Sequence, residues 1–129
     1  MVARIFSLGG ATEASIWSVI YEIGDLDDSW KTIPYGRPLA NQTLHVFDDD
    51  FSQSPVWKAG ELYIGGTGLA QEYLNDPERT QERFLIHPQT KQRLYRTGDL
   101  ARLRPDGYIE FLGREDHQIK VRGFRIELG

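Results

Sequence analysis

The stretch that most constrains this chain is its last third, Tyr95 to Gly129, which reads YRTGDLARLRPDGYIEFLGREDHQIKVRGFRIELG. Within it, Pro105-Asp106-Gly107 is a turn signal, because proline presets φ at one turn position and glycine accepts positive φ at another. The turn separates LARLR from YIEFL, two runs rich in strand-favouring residues, and so predicts a β-hairpin. GREDHQ follows as a polar break, and then IKVRGFRI alternates apolar with basic residues. That alternation puts Ile119 and Val121 on one strand face and Lys120 and Arg122 on the other. Asp99 stands directly after Thr97-Gly98 at a strand mouth, and Arg114 and Asp116 bracket the glycine-led break. Read from residue types alone, these are equally the marks of a surface β-meander with a solvated, charged face.

Taken as strings, YRTGDL and RPDGYIEFLGREDHQIKVRGFRIELG resemble the seventh and eighth core motifs of the adenylation domains of nonribosomal peptide synthetases. Those domains belong to the adenylate-forming superfamily, with acyl-CoA synthetases and luciferases. The similarity is long and nearly ungapped, and it extends upstream through GELYIGGTGLAQEYLNDPERT to GGATEAS, almost the whole chain.

Composition narrows the alternatives. The 129 residues suffice for one modest core, with 40% hydrophobic and 26% charged residues and a formal net charge of -4. That balance lacks the basic excess of a nucleic-acid surface. No apolar run approaches the length of a membrane span, and the N-terminus lacks the apolar core of a signal peptide. Without cysteine there is no disulfide, thiolate metal site or cysteine nucleophile, and a reducing cytoplasm is the default expectation.

Along the chain, Ala3 to Leu8 predicts a strand running into the Gly9-Gly10 loop, and SIWSVIYEI a second strand. Asp25 to Trp30 is an acidic loop, and Ile33 to Pro38 an irregular connector. Thr43 to Phe47 predicts a strand ending in Asp48-Asp49-Asp50, a solvated turn. Lys58-Ala59-Gly60 turns into a strand over Glu61 to Ile64. Gly65-Gly66-Thr67-Gly68 lacks both the lysine of a phosphate-binding loop and a dinucleotide fingerprint. It predicts strand-to-helix geometry, with helix over Leu69 to Leu74. Asn75 or Asp76 caps a further helix through Glu78 to Phe84, with Pro77 in its first turn. Gln92 to Arg96 is the strand that delivers Thr97-Gly98-Asp99. His45, His87 and His117 show no metal-ligand spacing.

The Gly9-Gly10-Ala11 loop lets a ligand approach the backbone closely. Thr12 and Glu13 then offer a hydroxyl and a carboxylate, suited to phosphate and to Mg²⁺, which takes hard oxygen donors. The same residues also suit a turn with one solvated carboxylate. By resemblance this is the fifth core motif. It implies Gly9, Gly10, Ala11 and Thr12 at the nucleotide, Thr12 on the adenylate phosphate, and Glu13 as catalytic residue and Mg²⁺ ligand. Many family members carry an adenine-stacking aromatic residue where this chain has Gly9.

Further roles follow from the resemblance. Asp99 binds the ribose hydroxyls, Arg114 contacts ribose or phosphate oxygens, and Phe111 packs near the nucleotide. Asp116 is the hinge of the small C-terminal subdomain, and Lys120, with Arg122, serves the thioester-forming state. Leu8, Ile16 and Trp17 line the substrate pocket, a combination similar to that of cysteine-activating domains of siderophore synthetases.

The implied fold class is α/β, an α+β fragment. Residues 1–113 are the β-rich C-terminal part of the large adenylation subdomain, with its distorted β-barrel. Residues 114–129 are the hinge and first hairpin of the small subdomain. The implied reaction joins an amino acid, cysteine by preference, to ATP with Mg²⁺, and passes it to the phosphopantetheine thiol of a peptidyl carrier domain. Implied partners are the amino acid, that carrier domain and the rest of the adenylation domain, with no nucleic acid and no membrane. The 129-residue chain alone is expected to be inactive, lacking the upstream Ser/Thr/Gly-rich loop and the downstream lysine. An inserted methyltransferase-like domain after Gly129 is a further expectation. The alternatives are an acyl-CoA synthetase fragment and a non-catalytic β-rich interaction module.

Overall fold

In the computed structural model, residues 3–115 are described in full, and Gln118–Val121 and Phe124–Glu127 by their backbone. Strand β1 (Ile5–Gly9) pairs antiparallel with β2 (Val19–Ile23), which carries the two-residue edge strand β3 (Arg37–Pro38). Pro38 belongs on such an edge, where its missing N–H interrupts no interior ladder.

A five-stranded sheet follows, built from β4 (Gln42–Phe47), β5 (Gly60–Gly66), β6 (Phe84–Ile86), β7 (Arg93–Leu103) and β8 (Ile109–Arg114). Its order is β4-β5-β7-β6, with β8 also on β7, and every pairing is antiparallel. Along one edge of β7, β6 covers Arg93 to Tyr95 and β8 covers Asp99 to Leu103, leaving Arg96 to Gly98 between them. The two sheets join where Gly36 bridges Ile109 and Tyr35 N–H donates to the Ile109 carbonyl at 2.8 Å. The sheet curls accordingly, and the one helix among the described residues, α1 (Pro77–Arg83), lies beside β6 and β7. This is the sheet-rich α+β fragment that the sequence implies. Strands β9 (Gln118–Val121) and β10 (Phe124–Glu127) form a separate antiparallel pair, in line with the hairpin expected there.

Burial follows the alternation of the strands. Val46, Leu62, Ala101 and Ile109 form one cluster and Ala14, Ile64, Phe84 and Tyr95 a second along the same face of β5, while Phe47, Tyr63 and Leu94 pack on the other face. The Pro105 hairpin forms as expected, with Gly107 N–H donating to the Arg104 carbonyl at 3.0 Å.

Several local expectations differ. Leu69 to Leu74 is not helical. Its backbone groups are taken by distant partners: Ala70 N–H by the Glu13 carbonyl, the Ala70 and Gln71 carbonyls by Arg93, and Tyr73 N–H by Thr80 Oγ1. Tertiary hydrogen bonds here displace the i−4 ladder. Helix α1 lies one residue earlier than expected, because Phe84 leaves it for β6; Asp76 caps it, accepting from Arg79 N–H at 3.1 Å. Ser15 and Ile16 adopt φ of 63° and 72°, so the second strand starts only at Val19. Gly113 and Arg114, read as part of a polar break, remain within β8.

Candidate functional site

The site grows from an irregularity in β7. Glu61 pairs with Leu100 but Tyr63 with Arg96, so Leu62 faces the three residues Thr97-Gly98-Asp99. The strand that the sequence ends at Asp99 therefore continues as a bulge, a feature that bends a strand and re-aims its side chains. Gly98 takes φ 75°, a conformation that costs glycine little. Buried Thr97 closes the gap in the ladder: its Oγ1 donates to the Leu62 carbonyl at 2.6 Å and accepts from Asp99 N–H at 3.0 Å. Asp99 sits opposite Arg114, whose Nη1 donates to Asp99 Oδ1 at 2.8 Å and to the Thr97 carbonyl at 2.6 Å. Both side chains are largely buried, which shields the pair from solvent screening.

The glycine loop reaches this pair through Tyr35. A Cβ at Gly9 would fall on Cε2 of the Tyr35 ring and lie 3.0 Å from Cζ. The ring also meets Phe111, with centroids 5.5 Å apart and planes at 48°. Burial, and after it the Asp99 carboxylate, raises the Tyr35 phenol above its ordinary value; the Gly10 amide and Arg114 oppose that rise. Gly9 and Phe111 thus meet at the Tyr35 ring, while Gly10, Asp99 and Arg114 act on its phenol. Sequence reading missed Tyr35, treating it as part of a connector. An aromatic residue set between Pro34 and Gly36 was the available signal.

Loop residues Thr12–Ala14 form a single 3-10 turn. Thr12 is exposed, whereas Glu13 is 5% exposed. Glu13 accepts from the Tyr73 hydroxyl at 2.7 Å. Burial first, and then Tyr73 and Glu13, holds the Tyr95 phenol well above its ordinary range, which places all three groups in one network. The solvated-carboxylate alternative for Glu13 therefore fails, and Tyr73 is a second residue that the sequence did not single out.

Leu8, Ile16 and Trp17, in the segments that flank the loop, are 41%, 63% and 54% exposed. The loop is closed by Ser18 N–H donating to the Gly9 carbonyl at 2.7 Å. His87 is structural: its Nε2 lies 3.0 Å from the Phe51 carbonyl, and Nδ1 accepts from Gln89 and Thr90 N–H. Among the described residues no three His, Cys, Asp or Glu side chains are grouped to hold a metal. No helix among them is long and apolar enough to cross a membrane. Asp116 and the side chains of Lys120 and Arg122 lie outside the described residues, as does His117.

Residues 1–74 match the family model described as AMP-binding enzyme. The chain belongs to that family. Pyochelin synthetase PchF of Pseudomonas aeruginosa is 55% identical over 126 residues, which cover 98% of this chain and 7% of that protein. The chain spans only 2–12% of the length of the curated relatives it matches. Among solved structures, PA1221, a nonribosomal peptide synthetase protein containing adenylation and PCP domains, superposes with a TM-score of 0.89. It is 34% identical, and the match covers 97% of this chain and 26% of that one. The AMPPNP-bound form of the nonribosomal peptide synthetase FmoA3 gives a TM-score of 0.83 at 47% identity, over 86% of this chain and 12% of that one. The chain is therefore a piece of an adenylation domain of the nonribosomal peptide synthetase type, with the fold of that domain's C-terminal part.

Proposed function

We propose that these residues form the nucleotide-facing wall of an amino-acid-activating domain. The observation that carries this is the convergence of the Gly9-Gly10 loop with Asp99 and Arg114 around Tyr35. In the reaction, a substrate carboxylate oxygen attacks the α-phosphorus of ATP. The bond to the β-phosphate breaks, and aminoacyl-AMP and pyrophosphate result. A carrier phosphopantetheine thiol then attacks the carbonyl carbon and AMP leaves.

Asp99 accepts the ribose hydroxyls, since a carboxylate offers several acceptor positions. Arg114 fixes that carboxylate and turns forked donors toward ribose or phosphate oxygens. Gly9, Gly10 and Ala11 admit the nucleotide against the backbone, and Phe111 supplies apolar contact. Thr12, exposed beside the loop, donates to the phosphate.

Glu13 fits a Mg²⁺ site of the usual nucleotide kind, in which one or two carboxylates act together with substrate phosphates. Its carboxylate is hydrogen-bonded to a tyrosine hydroxyl and so is held in one orientation. Bound there, Mg²⁺ would neutralise phosphate charge. Asp116 serves as the hinge of the small subdomain, and Lys120 as a basic residue of the thioester-forming state.

Leu8, Ile16 and Trp17 wall the side-chain pocket, which suits a small polarizable group and penalises a charge, because an unpaired buried charge is costly. We assign cysteine as the amino acid and the cytoplasm as the setting. Amino-acid-dependent pyrophosphate exchange by the complete domain is the test. Highest exchange with cysteine supports the assignment, and preference for a charged or bulky amino acid contradicts it.

A further inference from the structure

We propose that Gln42 and Ser15 are positioning residues for the amino-acid pocket, clamping the segment that presents Ile16 and Trp17. The inference rests on the reading of Leu8, Ile16 and Trp17 as that pocket and extends it to the side chains that hold the pocket in place.

The clamped segment is strained. Ser15 and Ile16 take φ of 63° and 72° in succession, and Trp17 N–H reaches back to the Ser15 carbonyl at 2.8 Å. A β-branched residue enters the left-handed region only where its surroundings impose it. Here the segment is pinned on both sides by backbone: Ala70 N–H donates to the Glu13 carbonyl at 2.8 Å and Leu39 N–H to the Ser18 carbonyl at 3.0 Å. Between these pins lie two made by side chains. Ser15 Oγ donates to the Gly68 carbonyl at 2.7 Å, and Gln42 Nε2 donates to the Trp17 carbonyl at 3.0 Å.

The two side chains converge on one place. A Cβ at Gly68 would lie 3.3 Å from Gln42 Cδ and Nε2 and 3.5 Å from Ser15 Oγ, so a side chain there would crowd both. The end of the Gly65-Gly66-Thr67-Gly68 run thus serves as a bare backbone that admits them. Gln42 opens β4 and pairs with Gly66, so its amide is carried on the sheet rather than on the loop. Its Oε1 is buried and has no hydrogen-bond partner among the described residues, which leaves the Trp17 carbonyl to orient the amide. Only a donor suits that carbonyl; an oxygen in its place would repel it. Ile16 and Trp17, 63% and 54% exposed, are therefore displayed by a contact between the glycine loop and the second sheet.

The experiment measures the KM for the preferred amino acid and for ATP by pyrophosphate exchange, in the complete adenylation domain carrying these residues. Gln42→Glu keeps the shape and removes the donor. It should raise the amino-acid KM about three- to tenfold, the worth of one hydrogen bond, while the ATP KM stays within about twofold. Ser15→Ala should act in the same direction. Gln42→Lys, which restores a donor of similar reach, should bring the amino-acid KM back to within about twofold of the unmutated value.

An unchanged amino-acid KM in folded Gln42→Glu would overturn the proposal, and so would equal rises for amino acid and ATP, the signature of a merely structural contact. A Gln42→Lys variant no better than Gln42→Glu would also overturn it. If Gln42→Glu does not fold, Ser15→Ala decides on the same two readouts. Trp17→Ala separates the clamp from the pocket reading beneath it. A raised amino-acid KM there, with Gln42→Glu and Ser15→Ala unchanged, removes the clamp alone. An unchanged amino-acid KM in Trp17→Ala removes the pocket reading as well.

Discussion

Arg114 and Asp99 face each other across β8 and β7, and one guanidinium nitrogen bonds both the Asp99 carboxylate, at 2.8 Å, and the Thr97 carbonyl, at 2.6 Å. The cation thus ties the carboxylate to the bulge that displays it. In the complete domain, Asp99→Asn should weaken ATP by more than tenfold, since losing a charged hydrogen-bonding group costs about 1.5–3 kcal/mol. The KM for ATP reports this, and an unchanged value in a folded variant would remove Asp99 from the site.

Thr97 holds the bulge itself. Thr97→Val keeps the shape but leaves the Leu62 carbonyl and the Asp99 amide without their partner. Stability should fall by about 1–3 kcal/mol, the cost of unsatisfied buried groups. The ATP KM should rise as well, because Asp99 is aimed by this bulge. Denaturant unfolding and exchange kinetics together check both effects; a stability loss with an unaltered KM would contradict the aiming role.

Tyr73 donates to buried Glu13. Tyr73→Phe removes that donor and frees the carboxylate to reorient. The Mg²⁺ concentration needed for half-maximal exchange should rise several-fold, with the amino-acid KM little changed. A Mg²⁺ titration identical to that of the unmutated domain would show that the hydroxyl does not orient the ligand.

Burial, and secondarily the neighbouring His87, lowers the His45 pKa from its ordinary value of 6.5. Folding therefore favours neutral His45, whereas the unfolded chain takes up a proton near the ordinary value. This contribution is fully present above the unfolded pKa and is lost as pH falls through it toward the depressed folded value. Acidification from neutrality should lower the melting temperature, and His45→Gln should flatten that slope. Parallel slopes for the two proteins would exclude His45 as a source.

Much of the frame was legible because its signals are local. The Pro105-Asp106-Gly107 turn, the Asp76-Pro77 helix start and the alternation in Thr43 to Phe47 each depend on neighbouring residues, and each forms. Leu69 to Leu74 misled because its partners, Glu13, Thr80 and Arg93, lie far away in sequence. The Thr97-Gly98-Asp99 motif was visible, but its bulge was not, since a bulge is defined by register against β5. Tyr35 and Tyr73 were missed for the same reason: neither carries meaning until a distant carboxylate or glycine is placed beside it. Leu8, Ile16 and Trp17 could be named by motif position alone, and all three are exposed apolar residues.

The central claim is that this wall serves carboxylate activation by ATP. The most direct measurement follows oxygen from a cysteine substrate labelled with heavy oxygen in its carboxylate, incubated with ATP, the complete domain and a carrier-protein acceptor. Attack of that carboxylate on the α-phosphorus must leave a labelled oxygen in the AMP released after thioester formation. Labelled AMP in amounts matching thioester is the predicted result. Unlabelled AMP, or ADP in place of AMP, would contradict the account.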